Sequence, residues 1–320
     1  MKKNVLRRIL IVIGIPLGYC LIVMGIFGFD DWEDFFGVMS VTFVFLLPMI
    51  AGFLTVNLSS KEKASRLGYK VFMPWVPILI FFVLTVILSL EGFACWIMIL
   101  PFFLGAASIG GIIGGWLKSG SGTHTLRVSF IAFLPFLVAP IENLLSRIPG
   151  TYEAYTSIDI QAPAERIWEN VTRVSEIPPE QDKGWLTRFL GFPRPVKAEL
   201  DFEGVGAYRE AIFTNGLVFH ETVTEYRHQE KMVFNIKAYP HEIPSATLDE
   251  HVVIGGDFFD VLNGTYELQR LDENSYRLHL YSRFELKTNF NFYASWWAKW
   301  IMKDIQNNIL QIEKTRAEKG

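Results

Sequence analysis

Histidine is the residue type in this chain best suited to acid–base or metal chemistry near neutral pH. No two of the six histidines have the spacing of a metal site, and no cysteine accompanies them after Cys95. We therefore expect no metal and no cofactor. His251, in the segment DEHVV, is the one catalytic candidate. A general-base role for it requires a substrate proton within hydrogen-bond reach, and a lone strand histidine is more often structural.

Two carboxylates of a predicted strand, Glu221 and Glu225, lie on one side of that strand, with Arg209 on the neighbouring strand. Paired carboxylates can do acid–base work, but an exposed cross-strand ion pair is the usual explanation. The chain has no nucleophile elbow, phosphate loop or dinucleotide fingerprint. An enzyme is therefore an alternative and not the leading hypothesis.

Two polar residues interrupt the apolar face of a predicted C-terminal helix. Asp304 and Asn308 project onto the same helical face as Trp297 and Ile301. A polar group in such a place must find a partner or costs roughly 1–3 kcal/mol. The two side chains either bond to strand residues such as His251 or Arg209, or orient the polar head of a ligand.

The first half of the chain is built differently. Five apolar runs occupy residues 1–147, and a helix needs about 20 apolar residues to cross a bilayer. They predict a transmembrane helical domain of four or five spans, of which the fifth reaches spanning length only with its flanks. The predicted spans are residues 9–29, 35–58, 71–90, 92–117 and 123–145.

The flanking charges predict the orientation of these spans. Lys2, Lys3, Arg7 and Arg8 precede the first run, whereas the loop at residues 30–34 is acidic. We expect a multi-pass protein of the cell membrane with a cytoplasmic N-terminus. With five spans the C-terminal domain is extracytoplasmic, which we favour, and with four it stays in the cytoplasm.

Small residues recur four apart in the fourth run, at Ala106, Gly110 and Gly114. Such a face lets helix backbones approach closely. It predicts tight packing within the chain, with self-association through the same face as the alternative.

The second half alternates as strands and ends in one long helix. Asn215-Gly216 is a strong hairpin signal between two of the strands, and Pro163 opens a short helix. The final helix is predicted at residues 290–316, with one apolar face. Short connections make the sheet antiparallel. The pattern predicts an α+β domain in which a curved sheet wraps around the C-terminal helix.

The segment YTSIDIQAPAERIWENV resembles the opening of the SRPBCC superfamily, also called START-like or polyketide cyclase/lipid-transport-like. There, a first strand leads through an Ala-Pro step to a helix bearing a tryptophan, here Trp168. TLDEHVVIGGDFFDVLNGTYEL and FNFYASWWAKWIMKDIQNNIL resemble a subgroup of bacterial membrane proteins that carry such a domain after several spans. The resemblance covers residues 152–318 and implies a helix-grip fold with a deep, apolar pocket under the last helix.

The resemblance and the residues together give a set of ligand-binding candidates, for which a fully packed core is the alternative. The candidates are Trp168, Arg209, His251, Phe258, Tyr266, Trp297, Trp300, Ile301, Asp304 and Asn308. The leading hypothesis is a membrane-anchored domain that binds a lipid or other hydrophobic small molecule for carriage, sensing or sequestration. The alternatives are a cavity-based enzyme, cyclase-like or hydrolytic, and a structural envelope protein with a closed cavity.

Two further partner predictions follow from charge. The net charge of −3 and the absence of a basic stripe exclude nucleic acid as a partner. Trp296 lies toward the side of the last helix that carries Lys299 and Lys303. Exposed tryptophan beside lysine is typical of a surface that meets lipid headgroups, so we expect this side to face the bilayer.

Overall fold

A computed structural model describes residues 2–29, 37–119, 124–144, 148–243 and 253–319 of the 320-residue chain. The chain forms two compact units, Met1–Arg147 and Ile148–Gly320. The described residues of the first unit are helical or lie in connections, and the second is an antiparallel sheet packed with helices. The candidate His251 lies outside the described residues.

The N-terminal unit consists of eight described α-helices and two single π-helical turns. One π turn, Leu10–Gly14, joins α1 to α2, and the other, Thr42–Leu46, leads into α3. Both accommodate apolar stretches that contain no charged residue. The helices are α1 (Lys2–Ile9), α2 (Ile15–Phe27), α3 (Leu47–Asn57), α4 (Lys61–Ser65), α5 (Leu67–Phe72), α6 (Trp75–Ile87), α7 (Phe93–Ser119) and α8 (His124–Leu144).

Three helical stretches in the described part of the chain are long and apolar enough to cross a membrane. They are Leu6–Phe27, Leu67–Ile87 and Phe93–Lys118, which fall on the predicted spans 9–29, 71–90 and 92–117. The predicted spans 35–58 and 123–145 extend partly outside the described residues. Their described apolar helices, Thr42–Asn57 and Ser129–Glu142, are shorter. Three candidate spans are therefore established, and a count of four or five stays a prediction.

Helices α3 and α7 approach each other with their backbones almost in contact. A Cβ atom at Gly110 would overlap the backbone oxygen of Met49, and one at Gly52 would overlap that of Ala107. At Gly114 it would lie 2.7 Å from the oxygen of Phe53. The small-residue face of α7 therefore packs against α3 within the same chain, which is the intramolecular arrangement the sequence predicts.

Two charged side chains bind exposed ends of helices in this unit. The Glu142 carboxylate accepts hydrogen bonds from the backbone N–H groups of Val41 at 2.6 Å and Thr42 at 2.9 Å, and from the Thr42 hydroxyl at 2.7 Å. Lys118 donates to the carbonyls of Asn57, the last residue of α3, and of Ser59, just beyond it. An anion at a helix N-terminus and a cation at a C-terminus both neutralise unpaired backbone dipoles. Both charges are thus accounted for by structure.

The C-terminal unit contains one seven-stranded antiparallel sheet with the order β1-β7-β6-β5-β4-β3-β2. Helices α9 (Ala164–Thr172) and α10 (Trp185–Leu190) lie between β1 and β2 in sequence, and α11 (Asn291–Lys319) closes the chain. Helix α11 packs against β1, β7, α9 and α10, which is a helix-grip arrangement. The strands are β1 (Gly150–Ile160), β2 (Pro195–Leu200), β3 (Tyr208–Phe213), β4 (Val218–Arg227), β5 (Lys231–Lys237), β6 (Phe259–Asp272) and β7 (Ser275–Leu286).

Glycines decide two local features of this sheet. Asn215 and Gly216 both have positive φ angles, 60° and 80°, and turn the chain from β3 into β4. Strand β6 continues through Asn263 and Gly264 after a bulge between Val261 and Asn263. A Cβ at Gly264 would lie 2.6 Å from the ring of Phe234. The missing side chain therefore makes room for that ring on the inner face.

Replacing Gly110 with Ala is expected to destabilise the helical unit, because the added methyl group must push α3 away from α7. Overpacking of this kind costs about 1–3 kcal/mol, and thermal unfolding of the full chain in mild detergent measures it. Gly105→Ala is the matched control, since a methyl group there meets no atom within 4 Å. It should leave the melting temperature unchanged or raise it, and equal melting temperatures for both variants would contradict the α3–α7 contact.

Candidate functional site

The side of the sheet that faces α11 carries an ion pair. Arg209 of β3 and Glu221 of β4 are register partners, and both side chains are 4% exposed. The Arg209 guanidinium donates to the Glu221 carboxylate and, through Nε, to the carbonyl of Thr172 at 3.3 Å. Its Cζ atom lies 5.3 Å from the centroid of the Phe234 ring. Burial raises the pKa of the Glu221 carboxyl, and the attraction of Arg209 opposes that rise.

This geometry corrects the exposed ion pair inferred from the sequence. A bulge in β4 between Val223 and Glu225 shifts the strand register. Glu225 consequently lies at the surface, where it accepts a hydrogen bond from Lys231 at 3.0 Å. Glu221 alone points inward, and its pairing with Arg209 is buried. The two glutamates therefore do not form an acid–base pair.

A second buried carboxyl, that of Glu313, comes from α11. The residue is 1% exposed, and neither carboxyl oxygen has a hydrogen bond of ordinary geometry. Arg209 and Tyr266 are its charged or titratable neighbours on the sheet, and Arg316 is the one on its own helix. Burial raises the pKa of Glu313 to about 8, against the attraction of Arg209. Burial and the nearby Glu313 also raise the pKa of Tyr266 well above its ordinary value.

Glu313 was missed in the sequence, although a signal for it exists. It lies four and eight residues after Ile309 and Ile305, so it continues an inward row of α11. A glutamate in such a row either extends its carboxylate into solvent or is buried. Solvent exposure of the carboxylate is the usual result, because the side chain is long. Only the packing of α11 on the sheet decides between them.

Asp304 and Asn308 bind the segment that leads into α10. The Asp304 carboxylate accepts hydrogen bonds from the Thr187 backbone N–H at 3.0 Å and hydroxyl at 2.9 Å. Asn308 accepts from the Lys183 N–H at 2.7 Å and donates to Asp182 at 3.0 Å. Both side chains therefore have structural partners, which are not the strand residues expected from the sequence.

The aromatic candidates divide between three places. Trp168 is buried at the α9 side, where its indole N–H donates to the Tyr226 hydroxyl at 3.0 Å. Phe258 and Tyr266 are buried before and within β6. Trp297 and Trp300 of α11 have ring centroids 5.3 Å apart and belong to a cluster that reaches the surface. The predicted residues thus do not all line one space.

Several apolar side chains packed against the two main core clusters remain only half-buried. On α11 they include Met302, Ile305 and Ile309, and Ile301 beside them is also half-buried. The sheet contributes Phe219 and Phe259. Small residues belong to the cluster against which Ile305 and Phe219 pack: Ala198 of β2 lies directly opposite Ala211 of β3, and Ala238 follows β5. A tightly filled interior would leave the half-buried apolar residues named above almost no accessible surface.

No group of three or more histidine, cysteine or acidic side chains that could hold a metal ion occurs among the described residues. The polar groups that come together are instead one arginine, two carboxyls and one phenol. This set can hold charge and donate or accept hydrogen bonds.

No protein-family model matches the chain, and no curated protein matches it. Solved structures that match include a START superfamily protein from Mycobacterium smegmatis, at 12% identity and a TM-score of 0.33, covering 53% of this chain and 99% of that one. Truncated norcoclaurine synthase from Thalictrum flavum matches at 12% identity and a TM-score of 0.30, covering 52% of this chain and 95% of that one. A protein from Nitrosospira multiformis matches at 18% identity and a TM-score of 0.33, covering 52% of this chain and 96% of that one. The helix-grip assignment rests on this chain's own strand order and helix packing.

Replacing Glu313 with Gln is expected to change how stability depends on pH. The folded-state pKa of about 8 exceeds the ordinary value of 4.5. Between these values the folded state holds a proton that the unfolded state releases, so the contribution is complete below pH 4.5 and disappears as the pH rises through 8. The loss is at most about 1.4 kcal/mol per pH unit. Gln cannot ionise, so the Glu313→Gln variant lacks this pH-dependent loss of stability.

The measurement is the melting temperature of the full chain in detergent, from pH 5 to pH 9. The difference between Glu313→Gln and wild type should grow in favour of the variant as the pH rises. Glu273→Gln, in the exposed turn between β6 and β7, is the control and should give a flat difference. A flat difference for Glu313→Gln as well would show that Glu313 is ionised or exposed in the folded protein.

Proposed function

We propose that this protein is a membrane-anchored binder of a lipid or other hydrophobic small molecule, held between the inner face of the sheet and α11. Carriage, sensing and sequestration are all compatible with such binding. The observation that carries the proposal is the row of half-buried apolar residues on α11, Met302, Ile305 and Ile309, of which Ile305 packs against the cluster that contains Ala198 and Ala211. Apolar residues that remain accessible inside a domain are what ligand cavities are lined with.

The buried polar cluster supports a preference for the chemistry of the guest. Burial raises the pKa of the Glu313 carboxyl to about 8, and Tyr266 is the hydrogen-bonding group beside it, without a hydrogen bond of ordinary geometry. A buried polar group that is left unsatisfied costs about 1–3 kcal/mol. A guest that brings a hydroxyl or carbonyl group to Glu313 recovers that energy. We therefore propose a ligand with a long apolar body and a small, neutral polar head.

The chain's apolar helices support the anchoring, and its flanking charges support an orientation. We propose that the N-terminus is cytoplasmic and that the C-terminal unit lies outside the cytoplasm. Three helices are long and apolar enough to span, and the two shorter ones, Thr42–Asn57 and Ser129–Glu142, bring the proposed number to five. Both three and five are odd, so the chain would end on the side opposite its start.

Filling the proposed cavity should displace its guest without unfolding the domain. Ala211→Leu places a larger apolar side chain on the inner face of β3, opposite Ala198 and beside Phe219. Native mass spectrometry of the full chain released from mild detergent should lose a bound-lipid mass that wild type carries. If the space is open, the change in stability stays under about 1 kcal/mol, whereas overpacking of a solid core costs about 1–3 kcal/mol.

The matched control is Thr222→Leu, the same residue introduced on the exposed face of β4. It should keep the guest that Ala211→Leu loses. Lipids that remain in both variants are attributed to the helical unit. Loss of stability in Ala211→Leu with no guest in wild type would mean a closed interior and leave a tethered scaffold.

The orientation predicts a distinct labelling pattern once Cys20 and Cys95 are replaced with Ala. A cysteine at exposed Gln311 should react with a membrane-impermeant maleimide in intact spheroplasts. A cysteine at Glu62, exposed in α4, should react only after permeabilisation. Protection of position 311 until permeabilisation would place the C-terminal unit in the cytoplasm and favour four spans.

A further inference from the structure

Five large aromatic side chains form an exposed surface on the C-terminal unit. Two belong to α10 and three to α11, and each is between 38% and 70% exposed. We call this surface the tryptophan patch. It consists of Trp185, Phe189, Phe292, Trp296 and Trp300. Large contiguous aromatic exposure is unusual on a soluble surface and marks a site of interaction.

The three tryptophans of the patch form a continuous surface, and Phe189 and Phe292 lie one helical turn from Trp185 and Trp296 on the same helix faces. The ring centroids of Trp185 and Trp300 lie 5.9 Å apart across the two helices, and those of Trp296 and Trp300 also lie 5.9 Å apart. The hydrogen bonds from Thr187 to Asp304 hold α10 against α11 beneath these rings. The aromatic surface therefore needs no rearrangement to meet a partner.

The aromatic exposure ends abruptly along α11. Phe292, Trp296 and Trp300 lie on one row of the helix, and the same row continues as Lys303, Asn307 and Gln311, which are polar and exposed. The polar half of this row has the composition of an ordinary water-facing helix surface. A partner is thus required only by the first three turns of the helix.

Cationic side chains border the patch. Lys183 is exposed just before α10, Arg188 is exposed within α10, and Lys303 is exposed on α11. Lys299 is half-buried, with its Nζ 5.5 Å from the centre of the Tyr152 ring. The nearby carboxylate of Asp182 is buried, is paired with Arg194 and lies 3.9 Å from the Arg188 guanidinium. The border that faces solvent is therefore basic.

We propose that the tryptophan patch docks into the headgroup region of a bilayer that contains anionic lipid. Tryptophan rings prefer this region, and lysine side chains reach from it toward lipid phosphates. Anionic lipids attract a basic border. The same chain carries three helices long and apolar enough to cross a membrane, which would tether this unit to a bilayer. The docking does not depend on ligand binding between the sheet and α11.

The test places a fluorophore on the patch of the full chain in nanodiscs. With Cys20 and Cys95 replaced with Ala, Trp296→Cys is labelled with an environment-sensitive dye, and the bilayer carries lipids with a shallow nitroxide quencher. The matched control is Gln311→Cys, on the same row of α11 but beyond the aromatic residues. We expect blue-shifted, quenched emission at position 296 and unshifted, unquenched emission at position 311.

Two further arms test the charge contribution and the label itself. Lys183→Glu combined with Lys303→Glu should reduce the quenching at position 296, as should discs of zwitterionic lipid alone. Phe292→Cys, a second patch position, should repeat the result of Trp296→Cys. Neither arm changes Ala211 or Glu313, which test ligand binding. The two proposals can therefore fail independently of each other.

Three outcomes would overturn the docking. Water-like emission at both positions 296 and 292 would leave the patch without a partner. Shifted emission that no lipid quencher lowers, in discs that hold one copy, would mean that the chain itself covers the patch. Shifted, unquenched emission that occurs only in discs holding two copies of the chain would mean that the patch is an interface between copies.

Discussion

The C-terminal unit depends on how one arginine charge is accommodated beneath α11. A guanidinium does not give up its proton in proteins, so Arg209 must be paired where it is buried. Glu221 provides the opposite charge, Thr172 a carbonyl acceptor and Phe234 an aromatic face. One cation cannot balance two carboxylates in a medium of low polarity. Burial consequently raises the pKa of Glu313 to about 8, against the attraction of Arg209.

These requirements join most of the elements of the domain. The β3–β4 register sets Arg209 opposite Glu221, and Thr172 ends α9. Phe234 can lie beneath the guanidinium because Gly264 on β6 leaves space for its ring. Removal of one partner from a buried ion pair leaves an uncompensated charge, which costs about 3–5 kcal/mol. The cluster therefore specifies register and helix position more than it adds net stability.

Local patterns predicted much of this architecture, and tertiary packing decided the rest. Alternation, the Asn215-Gly216 turn and the apolar face of α11 predicted an antiparallel sheet gripping a helix, as observed.

The burial of Glu221 could not be predicted, because a bulge in β4 separates it from Glu225 and no residue type indicates that bulge. Glu313 was missed because a glutamate on a helix is usually able to reach water. Asp304 and Asn308 were recognised as needing partners, but their partners lie in an irregular segment before and within α10 that has no periodic signal.

Three features that lower the stability of an isolated domain belong to the same helix. Helix α11 carries the buried Glu313 carboxyl, which has no hydrogen bond of ordinary geometry, the half-buried row of Met302, Ile305 and Ile309, and the exposed rings of Trp296 and Trp300. A closed scaffold would be more stable with leucine in place of Glu313 and polar residues in place of the tryptophans. Packing alone therefore explains none of the three. The proposed guest, with an apolar body and a polar head, would relieve the first two, and the proposed docking on a lipid surface would relieve the third. Under both proposals, the helix that closes the sheet would contact the ligand on its inner side and the membrane on its outer side.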